Sequence, residues 1–495
     1  MSLEKCLGFF LISLNFQIIL TTTSAPNILW IMTDDLGWGE VEVFPGGSKH
    51  GRISTPMLNQ FAAEGMQFMN AYSGYTVCAP SRTTFFTGRH SGMFPRYNLS
   101  GTSLDPGEAL TVTEILKDAG YETALFGKSA PLTDPLGSGF DEFVGQVNQV
   151  ACHNMYPKVI DKGSGQGNYN LSLNWKPRSR SSCMANPEDY SYTTDVFQNK
   201  ALKWLDEYQD RSIRRQFLQQ EINPFFLYLS FTVPHAGGWS DNGEMNGAPV
   251  PTDGEYAVND DWPNVEKDHA SVITYVDDFV GQLISKLKEL RLDESTVVIF
   301  ASDNGAHLKA GHDYKFFNST GGLRGHKRSM YEGGHRSPTL IRWPSHVPAG
   351  EVSDLQWAFW DVLPTLAEMA GVPSNKLPQN LSGRSILSTL LGKTQQPSKY
   401  LYFTGDSSWA TKTDTDVELT STKKTTAYAI RSGKWKGVVA KCNNYPTLMD
   451  EMELYDLDDD PFETQDISSL YPDQVEVLKN IITSEEGISC KCFQC

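Results

Sequence analysis

A chain of 495 residues carries 42 Lys and Arg against 59 Asp and Glu, for a formal net charge of -17. That balance excludes a general nucleic-acid binder, whose nonspecific affinity comes from cationic side chains displacing counterions, and it obliges any anionic substrate to find a locally basic pocket. Single cores stop growing near about 250 to 300 residues, so two domains are the default at this length.

The first residues place Lys5 ahead of an apolar run from Cys6 to Leu20, broken by Ser13, Asn15 and Gln17 and followed by Thr-Thr-Thr-Ser-Ala. This pattern reads as a signal peptide, residues 1–25, cut near Ala25. No later stretch offers the roughly 18 uninterrupted apolar residues of a membrane span. The expectation is therefore a soluble protein of the secretory pathway, lysosomal or extracellular, and compatible with a homo-oligomer. Sequons at Asn98, Asn170, Asn318 and Asn380 fit that route. Loss of the leader removes Cys6 and leaves Cys78, Cys152, Cys183, Cys442, Cys490, Cys492 and Cys495. An odd count in an oxidising compartment predicts one unpaired thiol, with Cys78 as the odd one out, and three disulfides among the rest in a pairing that sequence does not define.

Four apolar runs end in polar clusters. "NILWIM" (27–32) leads into Thr33, Asp34 and Asp35; 121–126 into Gly127 and Lys128; 225–231 into Thr232, Val233, Pro234 and His235; 296–300 into Ala301, Ser302, Asp303 and Asn304. Runs this short and two-sidedly apolar predict strands of a parallel sheet covered by helices on both faces. One such helix is read over 271–290, where Val272, Val276, Phe279, Leu283 and Leu287 form a single apolar stripe. Ligands bind outside the carboxyl ends of such strands, so Asp34, Asp35, Lys128, His235, Asp303 and Asn304 are predicted to share a site. Carboxylate and amide oxygens suit a hard cation, Ca2+ or Mg2+, better than zinc. A cation beside Lys128 favours an anionic substrate.

"CAPSRTTFFTGR" (78–89) puts Pro80 in a first helical turn and Arg82 one turn beyond Cys78. There a helix N-terminus and a guanidinium can hold the same anion. "CAPSR" followed by "TGR" resembles the signature of the type I sulfatases, Cys-X-Pro-Ser-Arg with Thr-Gly-Arg downstream. The resemblance runs along the chain in order: "IMTDDLGWG", "FGKS", "FTVPH", "FASDNG" and "GHKRSMYEGGHRSP", then "AIRSGKWKGVV" and "MELYDLDDDPFETQDIS" in the C-terminal part. It is nearest to the arylsulfatase-like branch.

Several expectations follow from this resemblance. The fold is an alkaline-phosphatase-like α/β sandwich with a large mostly parallel sheet, spanning a catalytic domain at 26–398. A smaller α+β domain with an antiparallel sheet takes 399–495, after the "KTQQPSK" stretch. Cys78 is oxidised to formylglycine by a formylglycine-generating enzyme, which accounts for its unpaired thiol. One Ca2+, preferred to Mg2+, is held by Asp34, Asp35, Asp303, Asn304 and the side chain at 78. Arg82, Lys128, His235 and Lys327 act on the sulfate. The substrate is a sulfate-ester small molecule or a sulfated glycan. The hydrated aldehyde attacks sulfur to form a covalent sulfo-enzyme, with His235 or Lys327 protonating the departing alcohol.

One departure stands out: the family reads Lys-X-His where this chain has Lys128, Ser129 and Ala130. A missing donor costs roughly 10²- to 10³-fold in rate unless His153, His307 or His312 fills the place, and spacing does not choose among them. Phe85 and Phe86 stand where aliphatic residues are usual, which reads as a packing change. Two rivals remain in view, a phosphoesterase on the same fold and a non-catalytic secreted protein that binds sulfated glycans. "DLDDDP" (456–461) reads as a solvated acidic turn and the terminal "CKCFQC" as disulfide-bonded. The loop between Cys152 and Cys183 is expected to shape substrate choice.

Overall fold

In the computed structural model, which describes residues 25–94, 103–163, 167–239, 247–406, 425–442 and 452–493, the apolar runs lie at the centre of a ten-stranded sheet. From one edge its strands are Glu351–Ser353, Met66–Phe68, Thr339–Arg342, Thr296–Ser302, Asn27–Asp34, Phe225–Pro234, Glu122–Lys128, Glu142–Gln146, Val159–Asp161 and Asn168–Asn170. The five from Thr296–Ser302 to Glu142–Gln146 are mutually parallel, and Thr339–Arg342 pairs antiparallel to the first of them.

Alternation along a strand sends successive side chains to opposite faces, and here each face has its own core. Leu29 and Ile31 pack with Phe61, Phe197, Trp204 and Val276 on one side. Ile28, Trp30 and Met32 pack with Phe85, Leu116 and Leu363 on the other. The first group belongs to helices Pro56–Glu64, Thr193–Phe217 and Asn264–Glu289; the second to Cys78–Thr87, Val112–Asp118 and Val362–Met369. The stripe predicted on the 271–290 segment is buried as expected, Val272 through Leu287.

Helix Cys78–Thr87 has every residue buried. Phe85 meets Trp30 at 4.8 Å and Tyr228 at 5.3 Å between ring centroids, so the aromatic pair is indeed a packing feature. The helix stops at Gly88, whose φ of 66° is the left-handed cap conformation and whose N–H donates to the Thr84 carbonyl at 2.9 Å.

A four-stranded antiparallel sheet follows in chain order, Leu401–Asp406, Thr425–Ser432, Trp435–Cys442 and Glu453–Asp456. One face packs Leu478 and Ile482 of helix Pro472–Phe493 against Ile430 and Leu454. The other packs Phe403, Ala429 and Val438 onto Tyr72, Met330 and Trp360. The acidic turn caps local backbone: Asp460 Oδ2 accepts from Thr464 and Gln465 N–H groups.

The expected disulfides are corrected for two cysteines. Cys152 and Cys183, like Cys78, are free and buried. Cys152 directs its thiol to the Gln149 carbonyl at 3.0 Å, and Cys183 packs in the core of the first face. Both act as small hydrophobes. The side chains of Cys442, Cys490, Cys492 and Cys495, residues 1–24 of the leader predicted at 1–25, and the sequon at Asn98 lie outside the described residues. Among the described residues no helix is long and apolar enough to cross a membrane.

Candidate active site

Four adjacent parallel strands end side by side, and the residues predicted from their polar termini converge there. Asp34 closes strand Asn27–Asp34, and Asp35 turns back with a φ of 69°, a left-handed conformation that Asp tolerates better than most residues. Lys128 closes strand Glu122–Lys128. Its predecessor must be glycine: a Cβ on Gly127 would lie 1.9 Å from the Ser230 carbonyl oxygen. His235 is the first residue beyond Phe225–Pro234, and Asp303 and Asn304 follow Thr296–Ser302. Cys78 opens its helix from the flank. All are buried.

The groups contact one another directly. Lys128 Nζ donates to Asp34 Oδ2 at 2.5 Å, and Lys327 Nζ pairs with Asp35 Oδ1. Arg82 Nε donates to Asp303 Oδ2 at 2.7 Å, and its Nη2 lies 3.6 Å from Asp34 Oδ2. Asn304 Nδ2 donates to Asp35 Oδ1 at 2.7 Å. Ligand atoms of Asp34, Cys78 and Asp303 lie within 4.8 Å of one another, as do those of Asp34, Asp35 and His235. Every residue predicted for catalysis or metal binding is therefore brought into one cluster.

Burial by itself would raise the Asp34 carboxyl, but the cations Lys128, Arg82 and Lys327 together hold it well below the ordinary range. Asp303 is pushed up to about 6, by burial first and by the Asp34 carboxylate second, against Arg82 and Lys128. Burial opposes the charge on Lys128 and Arg82, and neighbouring Asp34 and Asp303 respectively keep each firmly protonated. His235 is driven well below the usual imidazole range by burial and then by Lys327. Its Nδ1 lies 2.6 Å from the Ala236 carbonyl, which can only accept, so the ring is neutral with its proton on Nδ1.

Three carboxylate and amide oxygens of the cluster, Asp34 Oδ1, Asp35 Oδ2 and Asn304 Oδ1, are buried without a hydrogen-bond donor among the described residues. Unpaired buried acceptors are costly, and a hard cation with oxygen ligands satisfies all three at once. The donor set therefore fits Ca2+ or Mg2+.

The three histidines proposed to offset Ala130 separate. His153 stacks on His235, ring centroids 3.9 Å apart and 2° from parallel. His307 directs Nε2 to the Pro234 carbonyl at 3.2 Å, and His312 directs Nδ1 to Glu266 at 2.8 Å. Those two pack with His269, which pairs with Glu40 at 2.6 Å. Other contributors escaped the sequence. Ser230 Oγ accepts from Arg82 Nη1 at 2.5 Å and donates to the Lys128 carbonyl at 2.7 Å. Gln149 Nε2 donates to Cys78 Sγ at 3.2 Å. Half-buried Lys309 is held below the usual lysine range, by burial first and then by Lys327 and Arg328. Ser230 was findable as the polar residue inside an apolar strand; Gln149 carried no signal of spacing.

A large, mostly parallel sheet whose strand ends gather an oxygen-rich cation site, two lysines, an arginine and an unpaired cysteine defines an α/β protein with a site suited to an anionic ligand. The Sulfatase family model matches residues 26–372, and a model for the N-sulphoglucosamine sulphohydrolase C-terminal region matches residues 324–485. The chain is 29% identical to N-acetylgalactosamine-6-sulfatase of Canis lupus familiaris, covering 77% of this chain and 69% of that protein. It is 30% identical to arylsulfatase A of Homo sapiens, covering 78% and 71%. A solved structure of Ps i-CgsB in complex with k-i-k-neocarrahexaose shares the fold, with 24% identity, a TM-score of 0.69 and coverage of 94% and 93%. The chain belongs to the sulfatase family, and it is a sulfuric ester hydrolase.

Proposed function

We propose that this chain removes sulfate from a sulfated glycan, using a formylglycine made from Cys78 and one bound Ca2+. The observation that carries the reading is the convergence of an unpaired Cys78, three donor-less oxygens and the cations Arg82, Lys128 and Lys327 at the strand ends. Relatives named for N-acetylgalactosamine 6-sulfate and a neighbour bound to neocarrahexaose support a glycan over a simple aryl ester. The apolar leader read at residues 1–25 and the proposed oxidation of Cys78 both fit synthesis in the secretory pathway, with a lysosomal or extracellular destination.

Ca2+ held by Asp34, Asp35, Asp303, Asn304 and the side chain at 78 supplies fixed positive charge, and formylglycine supplies the nucleophilic oxygen once hydrated. The remaining work falls to the chain. Arg82, with its Nε on Asp303 and Nη1 on Ser230, holds the Asp303 carboxylate in place. Lys128 and Lys327 present ammonium groups to the sulfate oxygens in a buried setting, where charge is worth more than in water. Lys327 also carries a proton to give to the departing alcohol. His235 has none on Nε2, so it is the proton acceptor of the pair.

Turnover of an aryl sulfate, a 6-sulfated N-acetylgalactosamine and the matching phosphate ester tests this, together with mass spectrometry of the peptide containing residue 78. We expect an aldehyde-sized mass change, sulfate release, and its loss in Cys78→Ala. Faster release of phosphate than of sulfate would favour a phosphoesterase; a modified peptide with no turnover would favour a glycan-binding protein.

A further inference from the structure

The segment after Lys128 gives the site no side-chain donor. Ser129 spends its hydroxyl on the Leu132 carbonyl at 3.2 Å and the Gln146 carbonyl at 3.4 Å, and Ala130 has none to give. Beside His235 lies the 3-10 turn Ala151–His153. This turn is anchored on two sides. Gln146, at the end of the neighbouring strand, donates Nε2 to the Ala151 carbonyl at 3.0 Å. The His153 carbonyl accepts from Gly238 N–H at 2.9 Å, three residues beyond His235. Glycine is needed at 237 as well, since a Cβ there would come within 2.6 Å of the His153 carbonyl oxygen.

So fixed, the half-buried His153 ring lies flat against His235, with its Nε2 buried and without any hydrogen-bond partner among the described residues. Burial, His235 and Lys128 keep the imidazole neutral. From the same segment Gln149 reaches Cys78, and Gln149 Oε1 is likewise buried without a donor. Two unsatisfied polar atoms on one wall of a cluster built for an anion call for a ligand, because each costs free energy while unpaired.

We propose that His153 contacts the bound sulfate ester through its Nε2–H, supplying from the 151–153 turn the neutral donor that the 128–130 segment lacks. The inference rests on the sulfate-ester reading of the site above. A competing role is purely mechanical: His153 as an aromatic shelf that keeps His235 in place.

Three variants separate these roles. His153→Ala removes both shelf and donor, His153→Phe keeps a shelf without a donor, and His153→Gln keeps a donor without the ring. We expect kcat/KM for sulfate-ester hydrolysis to fall about 10²- to 10³-fold in the Ala and Phe variants and to stay within about tenfold in the Gln variant. Inorganic sulfate, titrated calorimetrically into each folded protein, should bind about tenfold to a hundredfold more weakly to the Ala and Phe variants only. A Phe variant with wild-type turnover and sulfate affinity overturns the proposal in favour of the shelf, and an unaffected Ala variant leaves His153 with neither role. A wild-type protein that neither hydrolyses sulfate esters nor binds sulfate sinks the reading of the whole site, and the inference with it.

Discussion

Ser230 shows how much one hydroxyl carries when it is buried among charges. It links Arg82 to the strand that ends in Lys128, accepting at 2.5 Å and donating at 2.7 Å. Arg82 Nη2 has no hydrogen-bond partner among the described residues, so removing the Ser230 acceptor leaves Nη1 of a fully buried guanidinium with only the long contact to Tyr228 Oη at 3.4 Å. Ser230→Ala should cost about 1–3 kcal/mol in a denaturant titration. It should also lower kcat about tenfold to a hundredfold by letting Asp303 drift. Steady-state kinetics on the purified variant checks the second part; unchanged kcat would show that Nε alone holds Asp303.

At the scale of elements, helix Val362–Met369 is tied to the following loop by one buried carboxyl. Asp361 accepts from the Ala358 and Arg384 N–H groups, both at 2.8 Å, and burial pushes its pKa up to about 7 despite them. A folded pKa above the unfolded value means that the native state binds the extra proton, so this group's contribution is complete at low pH. It is lost as pH rises from about 4 towards about 7. In Asp361→Asn, the fall of unfolding free energy with pH over that window should flatten by about 1.4 kcal/mol per pH unit at its steepest. Thermal or urea unfolding across pH series of both proteins would read this directly, and parallel curves would exclude Asp361 as the titrating group.

Across the whole molecule, the small sheet is joined to the site through a buried ionic network. Lys436 Nζ pairs with Glu332 and Glu463, each at 2.8 Å, and Glu332 also receives Arg336 at 2.6 Å and Tyr72 at 2.7 Å. Glu332 lies in the Tyr-Glu-Gly-Gly turn shortly after Lys327. We place the domain boundary at 398/399, just ahead of the first strand of the small sheet, and expect the two parts to unfold together. Lys436→Met would leave Glu463 buried without its cation, while Glu332 keeps Arg336 and Tyr72, at a cost of about 3–5 kcal/mol. One cooperative transition shifted to lower denaturant is the expected result; two separated transitions would mean that the small sheet is an independent unit.

The sequence by itself determined the sheet and the inventory of the site. Uninterrupted apolar runs can be buried only between two helical layers, and polar residues at their ends collect wherever parallel strands end together. Hence Asp34, Asp35, Lys128, His235, Asp303 and Asn304 were legible from pattern, Cys78 and Arg82 from cysteine parity and helical spacing before the motif resemblance added their roles, and Lys327 through the resemblance alone. The cysteine count misled for Cys152 and Cys183, because parity says nothing about which thiols pack as core. Only the tertiary structure set His153 against His235, turned His307 and His312 to other partners, and brought in Ser230 and Gln149. These depend on which turn lies across from which strand end, a through-space relation set by packing that spacing along the chain does not encode.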